Sequence, residues 1–319
     1  MQIAITRRWP AAVEKHLADS YELALNDNDT TMSRAELAAA MQTADALCPT
    51  VTDAIDAELL ATPDIKTRII ASYGVGHEHI DLDAARARNI VVTNTPGVLT
   101  DSTADLTMTL LLGIARRAGE GERHVRSHAW SGWRPTHMMG AMVTGKTLGI
   151  VGLGRIGLAV AQRAHLGFGM RIIYHTPSAA APEAVQALAA EPRSLEALLG
   201  EADFVSLHCP SNPATRHLMN EERFRQMRKD AFLINTARGN VVDPTALTAA
   251  LKSGQIAGAG LDVYEGEPQV PETLLDLENV MLLPHLGSAT VETRIAMGMR
   301  VAENLRAFFA GNEPPDRLA

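Results

Sequence analysis

Short apolar runs bounded by turn residues recur along the chain: "IAIT" at 3–6, "RIIASY" at 68–73, "IVVTN" at 90–94, "TLGIVG" at 147–152, "RIIYH" at 171–175, "DFVSLHC" at 203–209, "AFLINT" at 231–236, "AGAGLDVY" at 257–264 and "VMLLP" at 280–284. Stretches of helical composition lie between them, among them "PAAVEKHLA", "AVQALAA", "SLEALLG" and "PTALTAALKSG". Strand and helix in regular alternation predict parallel α/β layers, doubly wound, in two domains. A longer helix is predicted over Asp101 to Arg117, with acid in its first turn and Arg116 and Arg117 in its last, as the macrodipole prefers. After Ser288 the segment "ATVETRIAMGMRVAENLRAFFAG" spaces its apolar residues by three and four, with no strand to follow. That tail is expected to pack back onto the N-terminal domain and make it discontinuous.

A chain of 319 residues with 46% hydrophobic and 21% charged residues has enough apolar material for a large core and is poorly suited to disorder. No apolar run reaches the length that crosses a bilayer. The opening "MQIAITRRWP" begins as a strand and lacks a signal-peptide core, so the expected location is the cytoplasm. The net charge of −8 argues against a nucleic-acid partner, which requires basic surface. Cys48 and Cys209, far apart, form neither a disulfide framework nor a metal-binding spacing. "HEH" at 77–79 reads as a solvated loop, and no metal is expected.

"TLGIVGLGRIG" sets Gly152, Gly154 and Gly157 in the spacing G-x-G-x-x-G, after an apolar strand and before a helix. The first glycine permits a tight turn, the second lets backbone approach a diphosphate, and the third lets helix and strand close. Leu153, Arg155 and Ile156 complete this dinucleotide-binding turn. At the end of the next strand, a carboxylate is usual for NAD, to bond the ribose 2′-hydroxyl. Here His175 stands instead, followed by Thr176, Pro177 and Ser178. Without that carboxylate a 2′-phosphate is not repelled, and NADP(H) is expected to be slightly preferred over NAD(H).

Three ionisable residues fall just beyond three successive apolar runs: Arg238 after "AFLINTA", Glu267 beyond "AGAGLDVY" and His285 after "VMLLP". In an open parallel sheet, ligands bind at the carboxyl ends of the strands. Arginine is a permanently charged fork suited to a carboxylate, and histidine exchanges a proton near neutral pH. A carboxylate beside the ring favours its protonated form. The three together predict an acid–base centre for a small anionic substrate.

With these residues in hand, the chain resembles the D-isomer-specific 2-hydroxyacid dehydrogenase family. "YGVGHEHID", "NTPGVLTDSTADL", "GKTLGIVGLGRIG", "LINTARGNVVD", "AGLDVYEGEP" and "LLPHLGSAT" match family blocks in order over nearly the whole length. The resemblance implies two Rossmann-like parallel-sheet domains: a discontinuous substrate domain, 1–99 with 287–319, and a dinucleotide-binding domain, 100–286. It implies that Arg238 binds the substrate's carboxylate and carbonyl oxygen, that Glu267 polarises His285, and that His285 is the acid–base. Val75 and Gly76 offer amides to the carboxylate, with Val51 in the substrate loop. Thr103, the segment from Cys209 and Pro210 to Thr215, Thr236, Ala237, Arg238, Asp262, His285, Gly287 and Ser288 fall where the family contacts the cofactor.

"HAWSGWRPTHMMG" resembles the glyoxylate/hydroxypyruvate reductase branch, in which Trp133 lies near the interface of a homodimer and reaches toward the neighbour's active site. The implied activity is NAD(P)H-dependent reduction of glyoxylate or hydroxypyruvate to glycolate or D-glycerate. Two alternatives remain open: another D-2-hydroxyacid specificity, of the D-lactate or D-3-phosphoglycerate type, and a dinucleotide-sensing scaffold like the corepressors that share the fold.

Overall fold

Runs such as "FVSL" and "FLIN" are apolar at nearly every position because they form interior strands covered on both faces, the usual condition in parallel sheets. The computed structural model describes residues 1–177 and 182–319, which include two compact units: Met1–Leu99 with Ala289–Ala319, and Thr100–Ser288. Ser178 lies outside the described residues.

In the first unit, β1 (Gln2–Ile5), β2 (Glu22–Leu25), β3 (Ala46–Cys48), β4 (Ile69–Ala71) and β5 (Val91–Thr93) form one parallel sheet in the order β2-β1-β3-β4-β5. Side chains alternate between its two faces. Ile3, Ile5, Cys48 and Ile69 share a cluster with Met297, Val301 and Leu305 of the helix Val291–Phe309, while Ala4, Leu47, Ile70 and Val92 meet Leu37, Met41 and Leu59 on the other side. The C-terminal helix thus completes the first unit's core, and that unit is discontinuous in sequence. Each fully buried Ile or Leu contributes about 1.5–3 kcal/mol. Beyond the helix, the chain returns to β5, where Leu318 N donates to the Val92 carbonyl.

In the second unit, β6 (Thr147–Val151), β7 (Arg171–His175), β8 (Glu191–Pro192), β9 (Phe204–Leu207), β10 (Phe232–Asn235), β11 (Gly258–Leu261) and β12 (Val280–Leu282) pair in parallel in the order β12-β11-β10-β9-β6-β7-β8. The chain moves outward from β6 through β7 and β8, then returns to β9 on the other flank of β6. This reversal opens a crevice at the strand ends of β6 and β9, the usual position of a bound dinucleotide. Leu148, Ile150, Phe204, Phe232 and Ile234 face the helices Thr100–Ala115 and Arg155–Phe168, and Val205, Leu207, Leu233 and Leu261 face Leu198, Phe224 and Leu247.

The helix predicted to run to Arg117 ends at Ala115, and Arg116 and Arg117 lie beyond its last turn. Arg117 has φ 54°, a left-handed conformation that cannot continue the helix, and its guanidinium pairs with Glu120 of the next helix, Ala118–Arg126. Among the described residues, no helix is long and apolar enough to cross a membrane.

Candidate active site

β12, β11 and β10 lie side by side and parallel, so the segments that follow them leave the sheet along one edge. Those segments carry His285, Glu267 and Arg238 in that order. His285 Nδ1 donates to Glu267 Oε2 at 2.7 Å, and Tyr264 N donates to the other carboxylate oxygen at 2.9 Å. With Nδ1 engaged, the proton-exchanging position of the ring is Nε2. Burial pushes the Glu267 carboxyl up, but the hydrogen bond and charge of His285, the Tyr264 amide and the Arg238 guanidinium together hold it below the usual carboxylate range. Glu267 is therefore an anion at neutral pH.

The backbone of His285 is unusual for a residue with a β-carbon, at φ 55°. Asp262 at the end of β11 holds it there: its carbonyl accepts from His285 N at 2.9 Å, and its carboxylate accepts from Leu286 N at 2.6 Å and Gly287 N at 2.8 Å. Burial raises the Asp262 carboxyl, against the pull of those amides and of His285. Thr103 Oγ1 donates to the Gly287 carbonyl at 3.1 Å, while Thr107, one helical turn further, meets Thr236 Oγ1 at 2.9 Å. Thr103, Thr236, Asp262 and Gly287 are thereby brought into one hydrogen-bonded cluster under the same edge, with Ser288 next in the chain.

Asn235 at the end of β10 staples the Arg238 turn in both directions, accepting from Ala237 N at 3.0 Å and donating to the Arg238 carbonyl at 3.0 Å. The Arg238 guanidinium also donates to the Ala237 carbonyl at 2.7 Å.

The glycine turn fits a diphosphate. Gly152 adopts φ +96°, and a Cβ there would lie 2.7 Å from Cys209 N. A Cβ on Gly157 would lie 2.3 Å from the Gly152 carbonyl oxygen, whereas around Gly154 no atom comes within 4 Å. Turn and helix close on the flanking glycines while the middle one faces open space. The helix Arg155–Phe168 has Gly154 as its N-cap and no side chain bonded to its first amides, which leaves N–H groups and partial positive charge for phosphate oxygens. Behind the turn, burial pushes His208 down to about 3 and the Cys209 thiol up to about 11, so neither adds charge there at neutral pH.

His175 ends β7, and its Nδ1 donates to the Arg193 carbonyl at 3.1 Å. The Arg193 guanidinium is held by Glu191 and Glu201. Thr176 is half-buried, Leu153 is buried and Arg155 is exposed. Thr215 Oγ1 donates to the Pro210 carbonyl at 2.7 Å and closes the loop after β9.

Comparison with known proteins fits this geometry. Residues 108–287 match the family model "D-isomer specific 2-hydroxyacid dehydrogenase, NAD binding domain". The chain belongs to that family. It is 48% identical to a glyoxylate reductase of Thermococcus litoralis, over 99% of this chain and 96% of that protein, and 48% identical to one of Korarchaeum cryptofilum, over 99% and 95%. Among solved structures, it superposes with a TM-score of 0.87 and 34% identity on an NADPH-dependent glyoxylate/hydroxypyruvate reductase of Sinorhizobium meliloti in complex with NADP and malonate, over 100% of this chain and 96% of that one. A putative D-isomer specific 2-hydroxyacid dehydrogenase from Polaromonas gives a TM-score of 0.93 at 36% identity, over 100% and 99%. The protein is thus a 2-hydroxyacid dehydrogenase that uses a nicotinamide dinucleotide.

The first unit of this dehydrogenase carries Val51, Val75 and Gly76 on the loops after β3 and β4. A Cβ on Gly74 would stand 3.3 Å from Val51 Cγ1, so the two loops touch, and Asn94 Nδ2 donates to the Val75 carbonyl at 2.7 Å. In the second unit, Trp133 is 81% exposed and Trp130 55%. Among the described residues, no group of three or more His, Cys, Asp or Glu is placed to hold a metal ion.

Sequence reasoning did not single out Asn235, Gly239, His217 or Glu265. Asn235 carried a signal, a polar residue closing an apolar run. Gly239 carried none, because its importance lies in a tertiary contact: a Cβ there would fall 1.8 Å from the Tyr264 carbonyl carbon. Gly239→Ala must therefore separate the Arg238 and Glu267 loops. We expect thermal or urea unfolding to register a loss of about 3 kcal/mol, with turnover reduced in the protein that remains folded. A variant as stable and active as the parent would show that the two loops are not locked together.

Proposed function

We propose that this dehydrogenase reduces glyoxylate, and by the same chemistry hydroxypyruvate, to the 2-hydroxy acid, with NADPH preferred over NADH, as a homodimer. A bound reduced nicotinamide supplies the hydride to the carbonyl carbon. Arg238 holds the carboxylate and the carbonyl oxygen, and Nε2 of His285 gives its proton to that oxygen as it gains charge. Glu267 keeps the ring oriented and favours its protonated form. The observation that carries this reading is the 2.7 Å contact between His285 Nδ1 and Glu267 Oε2, on the strand edge that also bears Arg238. Within the first unit, we assign substrate contact to the Val75 and Gly76 amides and to Val51.

The substrate assignment is supported by the glyoxylate reductases that match over almost the entire chain. The cofactor assignment is supported by His175, which places no carboxylate at the end of β7 and whose Nε2 is turned away from the Arg193 carbonyl. Homodimer formation is supported by four exposed large apolar side chains within one short stretch of sequence, Trp130, Trp133, Met139 and Met142.

The test is a matrix of initial rates, NADPH and NADH against glyoxylate, hydroxypyruvate, pyruvate and phenylpyruvate. The expected outcome is the highest kcat/KM with NADPH and one of the two small substrates named first. Cofactor binding without turnover on any of the four acids contradicts the catalytic reading, a preference for phenylpyruvate contradicts the substrate, and a preference for NADH contradicts the role of His175.

A further inference from the structure

The catalytic carboxylate has a near neighbour of the same kind. Two residues before Glu267, Glu265 accepts from His217 Nε2 at 2.8 Å and pairs with Arg216 at 2.7 Å. The hydrogen bond from His217, with the nearby charge of Arg216, outweighs burial and holds the Glu265 carboxyl below its ordinary range. The loop after β11 therefore carries two histidine-bound glutamates, one to His285 and one to His217.

His217 is fixed by more than its ring. Its backbone is left-handed, at φ 49°, and its amide donates to the Asn240 carbonyl at 2.8 Å. Met219 N donates to the Val241 carbonyl at 3.0 Å, and Asp243 N returns to the Met219 carbonyl at 3.0 Å. The 217–219 segment is thus zipped to the residues that directly follow Arg238 and Gly239. Through the imidazole of His217, the same segment grips the loop that ends in Glu267. The side chain of His217 is one-third exposed and belongs to neither the glycine turn nor the acid–base pair.

We propose that His217, through Glu265, is a positioning residue for the acid–base pair: it braces the Arg238 loop against the Glu267 loop, so that the Glu267 carboxylate stays aimed at His285. Geometry makes the bond consequential. Glu267 accepts only from Tyr264 N and His285 Nδ1 among the described hydrogen bonds, and Tyr264 sits directly before Glu265. A shift of that backbone moves the Tyr264 amide and the Glu267 carboxylate it anchors, while Asp262 keeps His285 in place, and small misplacements of reacting groups carry large rate costs. Arg216, 58% exposed, adds charge but little rigidity.

This proposal rests on the reading of His285 and Glu267 as the acid–base pair, and a double-mutant cycle separates the two. In the full-length protein, His217→Ala is expected to lower kcat for glyoxylate reduction about tenfold, with the KM values for glyoxylate and reduced cofactor nearly unchanged. It is also expected to move the alkaline limb of the pH–rate profile toward lower pH. In the Glu267→Gln background the same substitution is expected to change kcat by less than about twofold, because the orientation it protects is already lost. His217→Gln, which keeps a donor, is expected to recover most of the rate, and Glu265→Ala, which removes the acceptor, serves as the second variant should His217→Ala melt below the assay temperature.

Equal losses in the two backgrounds, or unaltered turnover in both His217→Ala and Glu265→Ala, would overturn the brace. If Glu267→Gln alone turns over like the parent protein, the acid–base reading fails instead.

Discussion

Replacing His285 with alanine is expected to reduce kcat for glyoxylate reduction by about a thousandfold, within the range that a positioned proton donor supplies. Cofactor affinity, followed by fluorescence of the reduced nicotinamide, is expected to stay close to that of the parent. The two readouts part because the ring's bond runs to Glu267, while the bonds that hold the turn to Asp262 come from the backbone amides of His285, Leu286 and Gly287. Asp262 continues to fix the turn in the variant. The stability cost is expected to be small, since a half-exposed side chain in a left-handed turn packs little core. A variant that binds cofactor normally and reduces glyoxylate at the parental rate would remove the imidazole from the chemistry.

The second large effect is expected from Glu267→Gln. The carboxamide still accepts a hydrogen bond from Nδ1 but offers no charge to the imidazolium, so the protonated ring loses its main support. Reduction is expected to fall by about a hundredfold at pH 8 and by less at pH 6, where protons are more readily supplied from solution. The direction on the acid side follows from Glu267 itself. Its carboxyl is held below the ordinary value in the folded protein, so the stabilisation it gives is present above the ordinary glutamate value and is lost as pH falls through the lowered one. The parent protein should therefore lose the His285 contact only in distinctly acidic solution. Rate profiles of the two proteins between pH 5 and pH 9 check both limbs, and parallel profiles with no separation at high pH would show that the charge of Glu267 is immaterial.

Much of the fold is legible in the pattern of apolar runs, because β9, β10 and β11 are interior strands buried at every position and have almost no polar residues to blur them. β2, β3 and β8 escape that pattern for different physical reasons. β2 is an edge strand, "ELAL", half-exposed along its length; β3 has only three residues; and β8 is a two-residue bridge containing a proline. The helix predicted to reach Arg117 stops at Ala115 because Arg117 turns left-handed, a backbone conformation invisible in composition.

The site divides in the same way. Arg238, Glu267 and His285 each follow an apolar run, and the order of strands in the sheet turns that sequence pattern into adjacency. The contacts that hold them are not written locally. Asn235 bonding across the Arg238 turn, Gly239 pressed against Tyr264, Asp262 gathering the amides after His285, and His217 reaching Glu265 across 48 positions all depend on tertiary neighbours.

The most direct test is the first turnover. In a stopped-flow instrument, protein saturated with reduced cofactor is mixed with glyoxylate, and the loss of nicotinamide absorbance is followed as pH is raised through the range in which imidazole titrates. The transient rate is predicted to fall with the release of a single proton, and to lose that dependence in His285→Ala. A first-turnover rate that stays level or climbs over the same range in the parent protein would contradict proton donation by His285.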